Sequence, residues 1–375
     1  MSQRRPTCSR RQNWRITEAD CFDALTKLGT NTVDAVITDP PYGIGVNDLA
    51  WDRPVRLDPE AVPGRRRPRP ENPNERFQAF SHTWSVACLE ALKPGGHLAA
   101  FAAPRTVHRL TCGLEEAGYE IRDVLMWLQG QGYPATRVLP DGLGTGLKPA
   151  WEPIVLARKP LEGTLQKNLA SYGTGALNID ACRIALTSLD SPTDGRAKGQ
   201  RITANQAGRW PANLLLSHGE GCTPGRCEPD CPIGALGDRH RFFYSSKASR
   251  RERDAGCDKL ERRVVQTFKI GAHNERLCAE NPVANVHPTV KPIELIRWLV
   301  RLLNPAGGLV LDPFTGSASI GAAVVLEGGR FHGIERDAVY VPIARARMRY
   351  WSARSKRRPH CSAASSDRPR KTSKA

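Results

Sequence analysis

A helix-length segment held between two short apolar runs sets the first limit on this chain. "VDAVITD" (33–39) reads as a buried strand. "FQAFSHTWSVACLEALKPGG" (77–96) carries apolar residues on one face of a helix and is stopped by Pro94-Gly95-Gly96, and "HLAAFAA" (97–103) is again a strand. The alternation goes on with a helix at 107–119 and strands at 121–128 and 153–159. It resumes late in the chain as helix 291–308, strand 309–314, helix 317–329, strand 330–337 and helix 338–351. Strands spaced by helices in this way predict an α/β fold, doubly wound around a mostly parallel sheet.

The interval 160–286 breaks the pattern. It is rich in Gly, Pro, Asn, Arg and Cys, and its apolar runs, such as "NLLLSH" and "RFFYSSK", have no helical period. We read it as a separate irregular domain or large insertion. Arg53 to Arg76, with "GRRRPRPENPNER", reads as an exposed loop, and the chain beyond Ser352 as a basic, disordered tail. The expected divisions are therefore 1–159, 160–286, 287–351 and 352–375.

Of 375 residues, 55 are Lys or Arg and 38 Asp or Glu, a net charge of +17. From Arg345 onward there are eleven Lys/Arg against one acid, Asp367, so the tail holds the larger part of the excess. The body is still basic, which suits a polyanionic partner. No apolar segment follows the basic N-terminus and no run approaches the roughly 18 apolar residues of a membrane helix. A cytoplasmic location is expected, with most of the eleven cysteines as reduced thiols.

Two strand ends carry unusual chemistry. "TDPPYG" (38–43) runs from a strand into an acid, a diproline and a tyrosine, and two prolines offer no N–H to continue a ladder. "LDPFTGSAS" (311–319) runs from a strand into an acid, a turn and a helix start. Ligands of open α/β sheets bind at such carboxyl ends. The second loop lacks the G-x-G-x-x-G spacing that seats a pyrophosphate, so an adenosine without phosphates fits better. About twenty residues on, Glu335 ends the next strand, where an acid reaches ribose hydroxyls.

Together, "DPPY" and "DPFTGS" make the chain resemble the S-adenosylmethionine-dependent DNA amino-methyltransferases along most of its length. The acid–diproline motif precedes the cofactor motif, the circularly permuted order of the beta class. "HPTVKPIELIRWLVRLLNPAGGLVLDPFTGS" looks like that class's joined cofactor segments. "LKPAWEPIVLARKP" and "GRWPANLLLSH" are similar to segments of its phage and prophage-borne members. The resemblance implies a Rossmann-like methyltransferase sheet, S-adenosylmethionine as cofactor, and duplex DNA as partner, with 160–286 as the target-recognition region. It leaves a homodimer and a cognate restriction nuclease open as further partners.

In this reading Asp39 and the Pro40 carbonyl accept hydrogen bonds from an exocyclic amine and draw its lone pair out of conjugation. Pro40 and Pro41 make that lip rigid, and Tyr42 stacks on a base flipped from the duplex. The resemblance further implies cofactor contacts from Asp20, Asp39, Thr289, Lys291, Asp312, Phe314, Gly316, Ser317 and Glu335. Asp20 fits equally as the N-cap of the helix that follows it. Where the family usually shows a second glycine, this chain has Ala318. Adenine N6 is the favoured acceptor. Cytosine N4, an RNA or protein amide, and an inactive DNA-binding protein of the same fold are the alternatives.

Two weaker signals lie in the 160–286 interval. His218, Cys222, Cys227 and Cys231 fall within fourteen residues, either as a zinc knuckle or as free thiols in a loop; the spacing is no C-x-x-C pair, and no metal is assigned. Trp210 is expected in a core rather than as a stacking residue, and the basic residues from Arg183 to Arg253 are candidates for phosphate or base-edge contacts.

Overall fold

The computed structural model describes residues 12–44, 52, 72–129, 140–147, 149–186 and 282–355. Between the last two it describes 196–197, 200–201, 207–218, 222, 226–228, 231–237, 240, 243–246, 250–263, 266–269 and 276–278. The apolar runs become strands of one nine-stranded sheet: β1 (Trp14–Glu18), β2 (Val33–Thr38), β3 (Leu92–Phe101), β4 (Glu120–Leu128), β5 (Trp151–Arg158), β6 (Leu214–Ser217), β7 (Tyr244–Ser246), β8 (Leu309–Asp312) and β9 (Arg330–Glu335). Their order is β1-β9-β8-β2-β3-β5-β4-β6-β7. Neighbours are parallel except where β5 is involved, which runs against both β3 and β4. The mostly parallel α/β sheet is thus as the sequence predicts.

The helices are α1 (Cys21–Leu25), α2 (Pro73–Ala91), α3 (Val107–Glu116), α4 (Leu165–Tyr172), α5 (Pro232–Leu236), α6 (Arg250–Arg253), α7 (Ile293–Leu303), α8 (Ser319–Leu326) and α9 (Tyr340–Ser355). β2 is buried at all six positions because helices cover both faces of the sheet. Ala35 and Ile37 pack in the layer of α7, α8 and α9. Val36, between them, packs with Phe80, Trp84 and Leu114 of α2 and α3. The period-two alternation thus feeds two cores. Among the described residues, no helix is long and apolar enough to cross a membrane.

Three local expectations change. The helix expected over 77–96 occupies 73–91, and Leu92 already begins β3. Asn72 caps it through its side chain, with Pro73 behind, so the expected loop gives way to helix before Arg76; residues 53–71 lie outside the described ones. Pro94-Gly95-Gly96 sits inside the strand, where Gly95 takes a left-handed φ of 74° and its N–H reaches the Lys159 carbonyl. Trp210 is 67 % exposed, not in a core; the Arg183 guanidinium lies 5.5 Å from its ring centre, held by Asp180. At the C-terminus α9 runs through Ser355, and the tail from 356 lies outside the described residues. The 160–286 interval supplies β6 and β7 to the main sheet, along with two small ribbons, Arg196–Ala197 with Gln200–Arg201 and Gln266–Lys269 with Arg276–Cys278.

Candidate active site

The chain leaves β2 and β8 toward opposite faces of the sheet. After β2 it enters the layer of α2; after β8 it enters α8 on the other side. Adjacent parallel strands whose continuations diverge open a crevice at their carboxyl ends. The cavity found there is lined by all twelve residues singled out from the sequence: Asp20, Asp39, Pro40, Pro41, Tyr42, Thr289, Lys291, Asp312, Phe314, Gly316, Ser317 and Glu335.

On the β2 side the turn is pinned at its backbone. Asp52 Oδ1 accepts from the N–H groups of Tyr42 and Gly43 at 2.6 and 3.0 Å, and the Tyr42 carbonyl accepts from Thr106 Oγ1 at 3.0 Å. The Tyr42 hydroxyl donates to Asp39 Oδ1 at 2.7 Å and lies 3.2 Å from Glu152 Oε2. Lys291 Nζ closes the group: it lies 2.8 Å from Asp39 Oδ2, 3.2 Å from Glu152 Oε2, and donates to the Tyr42 oxygen at 3.1 Å. The Lys291 side chain is only 7 % exposed, so its charge is compensated by the two carboxylates rather than by water. Burial alone would lower the Lys291 pKa; Asp39 and Glu152 outweigh it and hold the pKa above the ordinary lysine value. Burial pushes the Asp39 carboxyl up, with Lys291 opposing. Burial, reinforced by Asp39 and Glu152, pushes the Tyr42 phenol well up, so it stays protonated.

On the β8 side Asp312 is fully buried and satisfied from three directions. It accepts from Thr38 Oγ1 at 2.8 Å, from the Phe314 N–H at 3.2 Å and from Thr315 Oγ1 at 3.3 Å. Burial raises its pKa to about 7 despite those bonds. The loop then turns through Gly316, φ 50°, and Ala318, φ 58°. Gly316 has no room for a side chain, since a β-carbon there would overlap the His287 ring. Glu335 accepts from the N–H groups of Gly316 and Asp337 at 2.7 and 2.8 Å, tying the end of β9 to this loop. Phe314 packs edge-on against Trp84 at 5.6 Å and forms one cavity wall with Phe80. Asp20 caps α1 through the Phe22 N–H at 3.0 Å, lies 3.6 Å from Arg336 Nη1, and also faces the cavity.

Sequence reasoning missed Glu152, Asp52 and His287. Glu152 is the second residue of β5, and since β5 alone runs backward, its first residues reach the edge where the other strands end. Nothing in "AWEPIVLARK" states that direction. His287 opens the quoted "HPTVKP", where a polar residue beside the motif was the available signal.

An open, nearly all-parallel α/β sheet with a carboxylate-lined crevice at its switch point is the Rossmann-like methyltransferase fold. The chain belongs to the N6/N4 DNA methylase family, whose model matches residues 33–346. Among its relatives, the type II methyltransferase M.HindIII of Haemophilus influenzae is 28 % identical over 201 residues, 44 % of this chain and 64 % of that protein. The chain thus spans a little under two thirds of that relative. The type II methyltransferase M.HpaI of Haemophilus parainfluenzae is 21 % identical over 337 residues, 89 % of this chain and 74 % of the relative. Among solved structures, the cytosine-N4-specific PvuII DNA methyltransferase shares the fold with a TM-score of 0.50 and 14 % identity, over 90 % of this chain and 86 % of that one.

Proposed function

We propose that this protein transfers a methyl group from S-adenosylmethionine to the exocyclic amine of a base flipped out of duplex DNA, with adenine N6 as the acceptor. The observation that carries this reading is that the Asp39–Tyr42 turn and the Asp312–Ser317 loop leave hydrogen-bonded neighbours, β2 and β8, and face one cavity.

The residues fit the cofactor. Glu335 offers carboxylate oxygens to ribose hydroxyls, Asp20 stands for the adenine side, and the Gly316 loop leaves no side chain in the way. Phe314, Ser317, Thr289 and Lys291 border the remainder. No phosphate cradle is present in that loop, as a phosphate-free adenosine ligand requires. S-adenosylmethionine supplies an electrophilic methyl on a sulfonium sulfur.

The chain's own part is to reshape the acceptor. An adenine or cytosine amine is a poor nucleophile because its lone pair is shared with the ring. Asp39 and the Pro40 carbonyl accept its two protons' hydrogen bonds and stabilise positive charge developing on nitrogen. The diproline and the Asp52 brace hold both acceptors still, so little geometry is left to organise at reaction. Tyr42 contributes a ring for the flipped base and, through its hydroxyl, fixes one Asp39 oxygen. Lys291 favours the anionic form of Asp39, the form that accepts.

The test is incubation with labelled S-adenosylmethionine and duplex DNA, RNA or protein, followed by mass spectrometry of the product. N6-methyladenine in DNA is expected. N4-methylcytosine would reassign the acceptor within the same mechanism. Label only in RNA or protein, or no label with DNA binding intact, would overturn the proposal.

A further inference from the structure

Away from the cavity, four metal-ligating side chains converge where β6 ends. His218 directly follows that strand, Cys231 precedes α5, and Cys222 and Cys227 lie between. One ligand atom from each lies within 4.8 Å of all the others. His218 Nδ1 is 3.5 Å from Cys227 Sγ and 3.7 Å from Cys231 Sγ. A tetrahedral zinc with bonds of about 2.3 Å to sulfur and about 2.0–2.1 Å to nitrogen has nitrogen–sulfur edges of about 3.6 Å. The two observed separations bracket that edge.

Two further features agree. The Glu228 N–H donates to Cys222 Sγ at 3.3 Å, the kind of outer bond that orients a metal-bound thiolate. Among the described residues, the apolar cluster beneath has Leu216, Cys231 and Ile233 buried, with Leu214, Leu236 and Phe243 partly buried against them, a small core to fix this segment by burial alone. We propose that His218, Cys222, Cys227 and Cys231 bind one zinc ion in a closed Cys3His site. All four positions come from the protein, so the ion has no place for water or substrate and its role is structural. Binding displaces the thiol protons and needs no oxidant or reductant. β6 runs parallel to β4, so the ion sits at the same sheet edge as the active cavity and anchors part of the 160–286 interval there.

The full-length protein, expressed with zinc in the medium and purified without chelator, is to be assayed for metal by mass spectrometry. Close to one zinc per chain is expected, released by a mercurial that modifies thiols. Cys227→Ser and His218→Ala should each lose it, while Asp39→Ala keeps it. Because the cysteine variants can fail to fold, the wild-type chain is also loaded with cobalt, which should give intense tetrahedral d–d bands and a thiolate charge-transfer band. Zinc far below one per chain without that spectrum would overturn the proposal. So would zinc retained by Cys227→Ser, or a disulfide among these cysteines in the fresh protein.

Discussion

Asp39 has one oxygen on the Tyr42 hydroxyl, three residues along the same turn, and the other on Lys291, which the far end of the chain brings there. Asp39→Ala should abolish methyl transfer while leaving S-adenosylmethionine binding largely intact, measured by calorimetry; full activity in that variant would refute the mechanism. Among the described residues, Lys291 is the cation that pairs with both Asp39 and Glu152. Lys291→Met strands two carboxylates and should cost about 3–5 kcal/mol in urea denaturation, since breaking a buried pair leaves uncompensated charge. A loss under about 1 kcal/mol would mean that water already reaches the pair. Asp312 gives a pH signature. Its folded pKa of about 7 is raised above the unfolded carboxylate value, so its contribution is present at low pH and is lost as pH rises between about 4 and about 7. Compared with Asp312→Asn, the wild-type chain should lose stability across that window; a flat difference curve would rule out a buried, neutral-leaning Asp312.

At the scale of elements, the loop from β8 into α8 contains the one departure from the family pattern that was visible beforehand. Ala318 is fully buried and left-handed, a conformation costing an alanine about 1–2 kcal/mol. Ala318→Gly relieves that strain but gives up a buried methyl of about 0.8 kcal/mol and frees the unfolded chain, so its net effect should stay within about 1 kcal/mol. Ala318→Val forces a β-branched residue into the same φ and should cost more than about 2 kcal/mol by denaturant midpoint. Strands and helices with strong periodicity, such as β2 and α7, were legible from the sequence, as were both strand-end motifs. What stayed hidden was direction and convergence. The reversal of β5 that delivers Glu152, the inclusion of β6 and β7 in the main sheet, and the exposure of Trp210 all depend on long-range pairing. Local residue pattern carries no information about which distant segment a strand will choose. The Pro94-Gly95-Gly96 stop was misread for a related reason: a left-handed glycine also serves a bulged strand.

For the whole molecule, the net charge of +17 makes the DNA affinity that the proposed function requires an electrostatic matter. A protein making 6–10 phosphate contacts loses about 10³–10⁵ in affinity between 50 and 200 mM salt, and filter binding or anisotropy should show a comparably steep fall here. A flat response would remove the basic surface as the DNA face. The pairing of β2 with β8 has a different consequence, in the order of assembly. The hydrogen bond from Thr38 to Asp312 joins residues 274 apart, so the two halves of the cavity are made at different times. At roughly 5–20 residues per second on the ribosome, β2 waits about 14–55 s for its neighbour. Through that interval a strand that ends buried at all six positions lacks its β8 edge, and a chain under synthesis has the lip of the site but no floor. The cavity, whose lining runs from Ala19 to Tyr340, therefore closes only after the last strand of the sheet has been made.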